Sequence, residues 1–439
     1  MPSTATRRVV ITGIGLISPL GTRKEAVWDA LAAGRSGIGP LRCLPSEDLA
    51  IRCAGEVRGF TGEIADFGTL GKEQVRTIRK GLKVMCREIQ MGVAAAQLAL
   101  QDAQLKLGDY DVDRTGVVYG SDYIMTAPEE FTEGVRSCLT PDEQFDFARW
   151  ATDGMPKVTP LWLLKYLPNM PASHVAIYND LRGPNNSITL REASALLAVA
   201  EAYCTIVRGH AEIMIAGATG TRLHPLRTVH VALQEECAKG DGDPEKMCRP
   251  FDLHRRGMVL GEGAGAIVVE ELGTAQARGV PILAEIVGFA SSAAAHPTTG
   301  GDICQAIQNV ICQALAKAGM EPEQLGHYHA HGLATRICDE QEAAAVQAVF
   351  GARNQPLPVT AAKSYMGNLG AAGGLVELIS SVLALQHDKL FPILNYETPD
   401  PRCPIHAART GDESSGDSFL KVSVTPQGQA SAIAIRRAG

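Results

Sequence analysis

Hydrophobic positions along the chain follow two recurring patterns, short apolar runs and longer segments with apolar residues at helical spacing. Residues 7–19, RRVVITGIGLISP, form an apolar run that closes on glycines, which predicts a strand. Residues 24–34 have helical spacing and a glycine stop, and residues 73–103 predict one long helical stretch. Residues 114–121 and 261–272 predict two further buried strands. Strands and helices therefore alternate, as is typical of α/β proteins.

The second half of the chain repeats the order of predicted elements in the first half. Residues 358–388 and the segment SITLREASALLAVAEAYCTIVRGHA each read as an apolar lead-in, a tight corner and a helix rich in small residues. We predict two related halves, residues 1–275 and 276–439, in a duplicated layered α/β architecture with helices over a mostly parallel sheet. In such sheets a site forms where strand ends and helix N-termini meet, so we expect both corners and the loop around His331 to share one site.

Residues 122–170 differ from this pattern because they mix acids, aromatic residues and prolines. They include the segments FTEGVRSCLTPDEQFDFARW and MPKVTPLWLLKYLPNM. We predict an insertion of short helices that forms a pocket wall or a contact between subunits.

Composition narrows the classes of function. The chain has 439 residues and a formal net charge of −7, which argues against a nucleic-acid-binding protein. Its 11 cysteines are scattered without C-x-x-C pairs, which fits a reducing cytoplasm and predicts neither a metal site nor a disulfide framework. The N-terminal segment lacks the long apolar run of a signal peptide, and no uncharged apolar stretch reaches the ~18 residues of a membrane span.

Six segments carry a resemblance to a known family: VVITGIGLISPLG, LRGPNNSI, GHAEIMIAGA, CRPFDLHRRGMVLGEGAGAIVVEE, YHAHGLATRICDEQEAAAVQAVFG and AAKSYMGNLGAAGGLVELISSVLAL. In this order they resemble the β-ketoacyl-acyl-carrier-protein synthases of the thiolase superfamily. The resemblance implies a duplicated thiolase-type five-layer αβαβα fold, a dimer, and substrates delivered on acyl carrier protein. No cofactor is expected.

The resemblance also assigns the residues of a site. Active members carry a cysteine at the first corner, which takes the acyl chain as a thioester. Counting back from GHAEIMIAGA without gaps, Glu192 stands at this nucleophile position. His331 and Lys363 fall on the family's His and Lys positions, whereas Asn368 stands where elongating synthases have a second His.

A second departure from the family falls near the C-terminus. Family members have a glycine-rich loop there that gives an oxyanion-hole N–H. In this chain the loop contains Pro426 and Gly428, and Pro426 takes the place of the donor residue. Proline has no N–H to donate, and losing one such donor costs about 10²–10³ in rate. Together with Glu192, this loss predicts a protein that does not condense.

Two interpretations of Glu192 remain open from the sequence. Thr189-Leu-Arg-Glu192 fits a capping box before an apolar run, and a carboxylate in the first helical turn suits the helix dipole. Alternatively, burial raises the pKa of Glu192, and the protonated acid then acts like the Gln of related domains that decarboxylate malonyl thioesters without condensing.

The remaining candidates also have more than one interpretation. Lys363 either pairs with Glu377 on the following helix or takes part in catalysis. His329 and His331 form a His-x-His pair, but no third ligand is evident, so no metal site is predicted. Three basic residues of the early helical stretch form either a solvated face or a docking surface for the acidic carrier protein: Arg79, Lys80 and Lys83.

We predict a condensation-incompetent partner subunit, similar to the chain-length factors that pair with an active ketosynthase in polyketide systems. A malonyl-carrier-protein decarboxylase is the second hypothesis, and an atypical condensing enzyme is the third. The expected partners are acyl carrier protein and either a second copy or an active ketosynthase, with neither nucleic acid nor a membrane span. Residues 122–170 and the corner helix are expected to form the subunit interface.

Overall fold

The computed structural model describes residues 7–45, 49–296, 298 and 300–438. Its strands are β1 Val9–Ile17, β2 Gly39–Pro40, β3 Cys53–Gly55, β4 Thr115–Ser121, β5 Asn185–Thr189, β6 Ile213–Thr221, β7 Leu260–Glu271, β8 Ala284–Ala293, β9 Ala295–His296, β10 Gly300–Gly301, β11 His327–His329, β12 Pro358–Thr360, β13 His406–Ala407, β14 Ser418–Val424 and β15 Gln429–Arg436. Its α-helices are α1 Lys24–Ala32, α2 Lys72–Gly81, α3 Arg87–Asp102, α4 Thr132–Ser137, α5 Met170–Asn179, α6 Ser194–Val207, α7 Pro225–Gln234, α8 Leu272–Arg278, α9 Ile303–Ala318, α10 Arg336–Phe350, α11 Lys363–Met366 and α12 Gly373–His387.

The main sheet shows the duplication directly. Its strands follow the order β13-β12-β11-β14-β15-β8-β1-β7-β6-β4-β5. The first-half run β5-β4-β6-β7-β1 matches the second-half run β12-β11-β14-β15-β8, and β1 joins the halves by pairing with β8. The predicted duplicated, layered α/β fold is confirmed, while the boundary between residues 275 and 276 stays a prediction.

The prediction of a mostly parallel sheet is wrong. β4 pairs in parallel with β5 and β6, and β11 pairs in parallel with β12 and β14. The pairings in the centre of the sheet, from β6 through β7, β1, β8 and β15 to β14, are instead antiparallel. A strand covered by helices on both faces reads as a continuous apolar run in either direction, so the pattern could not distinguish the two arrangements.

Helices cover the sheet from both sides and also fill the centre of the molecule. α6 and α12 share one apolar cluster, and α12 is buried from Gly373 to Leu385, as expected for a helix that is apolar on all sides. α3 packs against β1 and β7, and α9 packs against β8 and β15. A Cβ at Gly13 of β1 would overlap the Ala99 carbonyl oxygen, so glycine allows α3 to lie this close. In the described ranges no helix is long and apolar enough to cross a membrane.

The long helix predicted over residues 73–103 is wrong, because the stretch forms two helices, α2 and α3. A short 3-10 turn at Leu82–Val84 separates them, and Met85 is extended (φ −125°, ψ 125°). A Cβ at Gly81 would overlap the Tyr178 hydroxyl of α5, so α5 crosses at the break. Both helices cover the same apolar cluster, which is why the hydrophobic spacing continues across the interruption.

Residues 122–170 consist of short elements, as their composition predicts. Besides α4 these are single turns at Pro128–Glu130, Phe147–Arg149, Trp150–Gly154, Met155–Lys157 and Trp162–Lys165. Phe131 packs against Trp150 and Trp162, with ring centroids 6.2 and 4.9 Å away. Phe147 and Leu161 are 76% and 66% exposed, so this region presents apolar side chains to its surroundings. Its role at a subunit contact stays a prediction.

Candidate functional site

The first corner lies between β5 and α6. After Leu190 the backbone adopts a positive φ of 51° at Arg191, and a 3-10 turn over Arg191–Ala193 carries Glu192 into the interior. Ser194 fixes this turn, since its Oγ accepts from the Leu190 N–H at 2.7 Å and donates to the Ser121 carbonyl at 2.9 Å. The turn therefore directs the Glu192 side chain inward, where it is 3% exposed.

The capping box predicted for Glu192 is not formed. Neither the start of the 3-10 turn nor the start of α6 has a side-chain cap, and the Glu192 carboxylate contacts other side chains instead. The short 3-10 turn places Glu192 ahead of α6, not within its first turn. The spacing of Thr189 and Glu192 matched the motif, but the backbone between them is not helical.

The Glu192 carboxylate is held by three side chains. Arg222 donates to Oε1 and forms an ion pair, the Asn368 amide Nδ2 donates to Oε1 at 3.2 Å, and Arg191 lies 3.5 Å from Oε2. Burial alone would raise the pKa of Glu192, but the charges of Arg222 and Arg191 outweigh it and lower the pKa to about 2. Glu192 is therefore ionised at neutral pH.

Arg222 connects this carboxylate to a fourth charged residue. It follows the end of β6, is 2% exposed, and lies 3.3 Å from the carboxylate of Glu235, which terminates α7. Arg191 approaches the same Glu235 oxygen at 2.6 Å. We call Arg191, Glu192, Arg222 and Glu235 the corner clamp. Its two cations and two anions balance, which is what burial of charge requires.

Asn368 connects the second corner to the clamp. Its Oδ1 accepts from the Gly370 N–H at 3.0 Å, and its Nδ2 donates to Glu192 and also faces the Met258 sulfur at 3.4 Å. Both ends of the amide therefore already have protein partners. A thioester carbonyl that needed the Asn368 N–H would have to displace the Glu192 carboxylate.

His331 lies on a loop that the Glu342 carboxylate supports. Its backbone N–H and that of Gly332 donate to Glu342 at 2.7 and 2.8 Å. Burial and nearby Lys363 hold the pKa of His331 well below its usual range, so the ring is neutral. Its Nδ1 faces the Lys363 ammonium at 3.4 Å, which places the ring proton on Nε2, and within the described part of the chain Nε2 has no partner.

The predicted ion pair between Lys363 and Glu377 is present, with the two atoms 2.7 Å apart. A second buried cation shares the carboxylate, since Lys421 of β14 lies 2.6 Å from its other oxygen. Burial lowers the pKa of Lys421 to about 8 although Glu377 opposes the shift. The sequence interpretation missed Lys421, Arg222 and Glu235; a lone lysine inside the apolar run SFLKVSV was the available signal for the first.

Pro426 and Gly428 lie in the hairpin turn between β14 and β15. Pro426 is exposed, and the Gly428 N–H donates to the Thr425 carbonyl at 3.0 Å while its φ is 75°. The turn therefore uses the Gly428 N–H itself. His329 is likewise engaged, with Nδ1 2.7 Å from the Ser381 hydroxyl and Nε2 accepting from Ala362 N at 3.3 Å, which leaves neither ring nitrogen for a metal.

The three basic candidates lie apart from the buried site. Arg79 and Lys80 are in the last turn of α2, Lys83 is in the 3-10 turn that follows, and all three are exposed. They are accessible to a large acidic partner, whereas Glu192, Asn368 and His331 are each at most 3% exposed.

Comparison with known proteins gives a consistent family. The family models "Beta-ketoacyl synthase, N-terminal domain" and "Beta-ketoacyl synthase, C-terminal domain" match residues 6–275 and 283–397. The 3-oxoacyl-[acyl-carrier-protein] synthase 2 of Coxiella burnetii is 33% identical over 401 residues, covering 91% of both chains. That of Synechocystis sp. is 31% identical over 401 residues, covering 91% of this chain and 90% of its own.

Solved structures of similar proteins agree. A beta-ketoacyl synthase from Burkholderia phymatum STM815 has a TM-score of 0.82 at 28% identity. The ishigamide ketosynthase/chain length factor has a TM-score of 0.83 at 26% identity. The AntDE:AntF complex, a type II PKS acyl-carrier protein in complex with its ketosynthase bound to the hexaketide, has a TM-score of 0.82 at 25% identity. Each match covers 99% of this chain and 100% of the other.

Proposed function

The chain belongs to the beta-ketoacyl synthase family of fatty-acid and polyketide synthesis, and from this premise we propose that it is a condensation-incompetent subunit that pairs with an active ketosynthase. The observation that carries the proposal is the corner clamp. At the position where the family's nucleophile is expected, the chain has a buried, ionised carboxylate held by Arg222.

This arrangement opposes acyl transfer in two ways. A carboxylate engaged by two arginines and an amide is a poor nucleophile, and its acyl product would be an anhydride that water cleaves quickly. A thiolate at a helix N-terminus is the group that suits this chemistry, and the cysteine nearest along the chain, Cys204, lies in the last turns of α6. Its pKa is raised by burial, which further reduces the thiolate population.

The clamp also argues against decarboxylation of malonyl thioesters. That hypothesis needs a protonated Glu192, because an ionised one repels the malonate carboxylate, yet Arg222 keeps the pKa of Glu192 at about 2. It also needs the Asn368 amide to hold the thioester carbonyl, and that amide donates to Glu192. Among the described residues of this site, the donors without a partner are the His331 Nε2–H and the Arg222 Nε–H, and Arg222 is already bound to Glu192 and Glu235 through its other nitrogens.

The exposed surface supports pairing with a second chain. β5 is the last strand of the sheet, and the residues of an exposed sheet edge readily pair with another chain. Exposed apolar side chains also precede this strand along the chain, namely Phe147, Leu161 and Ile177. We expect a dimer that buries more than ~2,000 Å², because obligate interfaces of this kind are large and apolar.

The test combines copurification with mass spectrometry. The chain is coexpressed with candidate ketosynthases encoded beside it, and the complex is incubated with acyl-carrier protein. We expect a heterodimer in which intact-protein mass spectrometry finds acyl groups on the partner only. A stable monomer at micromolar concentration, or a stoichiometric acyl adduct on a cysteine of this chain, would contradict the proposal.

Two variants separate the alternatives at the same site. Glu192→Cys alone is expected not to restore condensation, because Pro426 has no N–H for the oxyanion. Purified wild type is expected to convert no malonyl-carrier protein to acetyl-carrier protein above background. Conversion by wild type at neutral pH would establish the decarboxylase instead, and condensation by Glu192→Cys would show that Pro426 does not take the place of the oxyanion-hole donor.

Carrier-protein docking has its own test. Reversing Arg79, Lys80 and Lys83 to Glu is expected to weaken binding of acyl-carrier protein at least tenfold at low salt and to increase its salt sensitivity, since charge complementarity dominates such contacts. The matched control is Arg23→Glu, a side chain that is 77% exposed and lies before α1. Equal effects of the two changes would place the docking surface elsewhere.

A further inference from the structure

A groove of about 640 Å³ lies between the start of α2, the C-terminal half of α3 and the segment after α3. Gln97, Leu100 and Gln101 line it from α3, because a spacing of three or four residues places side chains on one face of a helix. Lys72 of α2 and Lys106 of the segment after α3 line it on the exposed side. Small-molecule sites typically have volumes of ~300–1,000 Å³, so the groove is large enough for one, and its lining shares no residue with the corner clamp.

One of the side-chain amides that line the groove lacks a partner. Gln74 is bonded at both ends, since its Oε1 accepts from the Gly71 N–H at 3.3 Å and its Nε2 donates to Asn179 Oδ1 at 3.1 Å. Gln101 is bonded at both ends to backbone groups that precede α2, at 2.8 and 3.0 Å. Gln97 is 2% exposed, yet its Nε2 has no hydrogen-bond partner in the ranges that the structure describes. Because an unpaired buried N–H costs desolvation without return, this donor indicates an acceptor on a bound molecule.

The exposed side of the groove favours a negative charge. Gly71 precedes α2 and has no side chain to accept from the first N–H groups of this ten-residue helix, so these donors are left for another acceptor. The positive end of the helix dipole favours an anion at the same place. The described lining contains two lysines, Lys72 and Lys106, and one carboxylate, Glu73, which lies 3.9 Å from Arg76. The charge of the lining is therefore positive.

An apolar surface accompanies these two polar features. Leu100 and Leu105 line the groove and are 3% and 5% exposed. We propose that the groove binds a small organic anion, a carboxylate or a phosphate monoester, with its charge at the start of α2 near Lys72 and Lys106. Its apolar body packs on the two leucines, and a carbonyl oxygen accepts from the Gln97 Nε2–H. The site is separate from the corner clamp, so the proposal does not depend on the proposed function.

The first test uses four probes that share an apolar ring and a ketone oxygen but differ in charge: 4-acetylbenzoate, 4-acetylphenyl phosphate, 4-acetylbenzamide and 4-acetylbenzylamine. Ligand-observed NMR on the purified full-length chain measures their affinities. We expect both anions to bind, the neutral amide to bind at least tenfold more weakly, and the amine not to bind. The tighter of the two anions identifies the preferred head group. Absence of binding by both anions, or equal binding of the neutral amide, would overturn the proposal.

The two lysines locate the charged end of the ligand. The double variant Lys72→Gln/Lys106→Gln is expected to weaken binding of 4-acetylbenzoate at least fivefold at low salt and to reduce the salt dependence of binding, because the lost contacts are between exposed charges. The matched control is Lys389→Gln, an exposed lysine after α12 that does not line the groove. An equal loss in the control would show that the anions respond only to the general surface charge, and would overturn the assignment of the groove.

Gln97→Leu gives an independent readout, because it removes the unpaired N–H and keeps a similar volume. The ligand-free variant is expected to unfold at the same or a higher temperature than wild type, whereas Gln101→Leu, which breaks two hydrogen bonds, is expected to unfold at a lower one. Gln97→Leu is expected to bind 4-acetylbenzoate at least fivefold more weakly, yet to bind benzoate, which lacks the ketone, as wild type does. A lower unfolding temperature of Gln97→Leu, or an unchanged affinity for 4-acetylbenzoate, would show that Gln97 is structural and would overturn its assignment to the site.

Discussion

The chain turns from the sheet into a buried central helix twice, and the two corners share one backbone geometry. In each, a residue with positive φ opens a 3-10 turn, Arg191 (φ 51°) before α6 and Gly370 (φ 62°) before α12. The residue that follows is Glu192 at the first corner and Ala371 at the second. Because the second corner forms without a charged side chain, the turn itself does not require the carboxylate.

The difference shows that the fold of the first corner does not require the charge of Glu192. A carboxylate in the interior is costly unless partners compensate it, and the corner clamp provides them. At the second corner Ala371 and Ala372 are fully buried and need no partner. The comparison predicts that substitutions in the corner clamp change the stability strongly. Substitutions of the two residues with positive φ, Arg191 and Gly370, are expected to change it little.

The largest effect is expected from Arg222→Ala. It leaves the Glu192 carboxylate buried beside Asn368 with only the more distant Arg191 as a cation, and breaking a buried pair costs about 3–5 kcal/mol. Chemical denaturation at pH 7 measures the loss. Arg23→Ala, on an exposed side chain, is the control and is expected to stay within about 0.5 kcal/mol of wild type.

The double variant Glu192→Gln/Arg222→Ala sharpens this prediction. If the clamp is a pair of mutually compensating charges, removing both is less harmful than removing Arg222 alone. A double variant that loses as much as the sum of the two single variants would show that Arg222 stabilises the fold independently of Glu192.

A smaller effect is expected from Glu192→Gln. Arg222 then retains Glu235, so the loss at neutral pH is about 1–3 kcal/mol. The folded-state pKa of Glu192 is lowered from 4.5 to about 2, so its contribution is present above pH 4.5 and is lost as the pH falls toward 2. The stability of Glu192→Gln is therefore expected to fall less steeply than that of wild type over this window. Parallel curves would place the ionised state of Glu192 in doubt.

The smallest effects come from exchanging the residues with positive φ. Gly370→Ala meets no atom closer than 3.5 Å, so its expected cost of about 1 kcal/mol is conformational. Arg191→Gly relieves the same strain but loses the contacts with Glu192 and Glu235, and the opposing effects are expected to cancel within about 1 kcal/mol. Thermal unfolding of both variants compares them. A large loss in Arg191→Gly would mean that the charge of Arg191 is essential to the clamp.

Much of this architecture was predictable because it repeats. The two segments with a corner and a small-residue helix predicted the duplication, and the motif order placed Glu192, His331 and Asn368 in one region. The central antiparallel strands were not predictable, since a helix-covered strand shows the same apolar run in either direction. The break between α2 and α3 rests on two extended residues, Met85 and Cys86, which a periodic pattern cannot register.

The clamp partners were harder to predict, because they come from separate segments of the chain. Arg222 follows β6, two strands from β5 in the sheet, and only the strand order brings it to Glu192. β4, β5 and β6 are parallel and end at one edge, so a charged residue just after β6 was a signal that could have been used once the order was known. The capping-box hypothesis was wrong for a related reason. Residue spacing describes only local contacts, whereas the Glu192 carboxylate binds Arg222, which is distant along the chain.

The position of β1 in the sheet affects how the chain folds while the ribosome synthesises it. β1 is the first strand to be synthesised, yet its neighbours β7 and β8 are made only after most of the first half has emerged; Val9 pairs with Glu271 and Ile286. Until then β1 has no native pairing partner, and the nascent chain has to keep this apolar segment from forming non-native contacts. Such long-range pairing slows folding and leaves unpaired strand edges, which are prone to aggregation, exposed in the meantime. We therefore expect nascent chains released before residue 271 to depend on chaperones. We also expect a partner subunit to bind only after synthesis of the first half is complete.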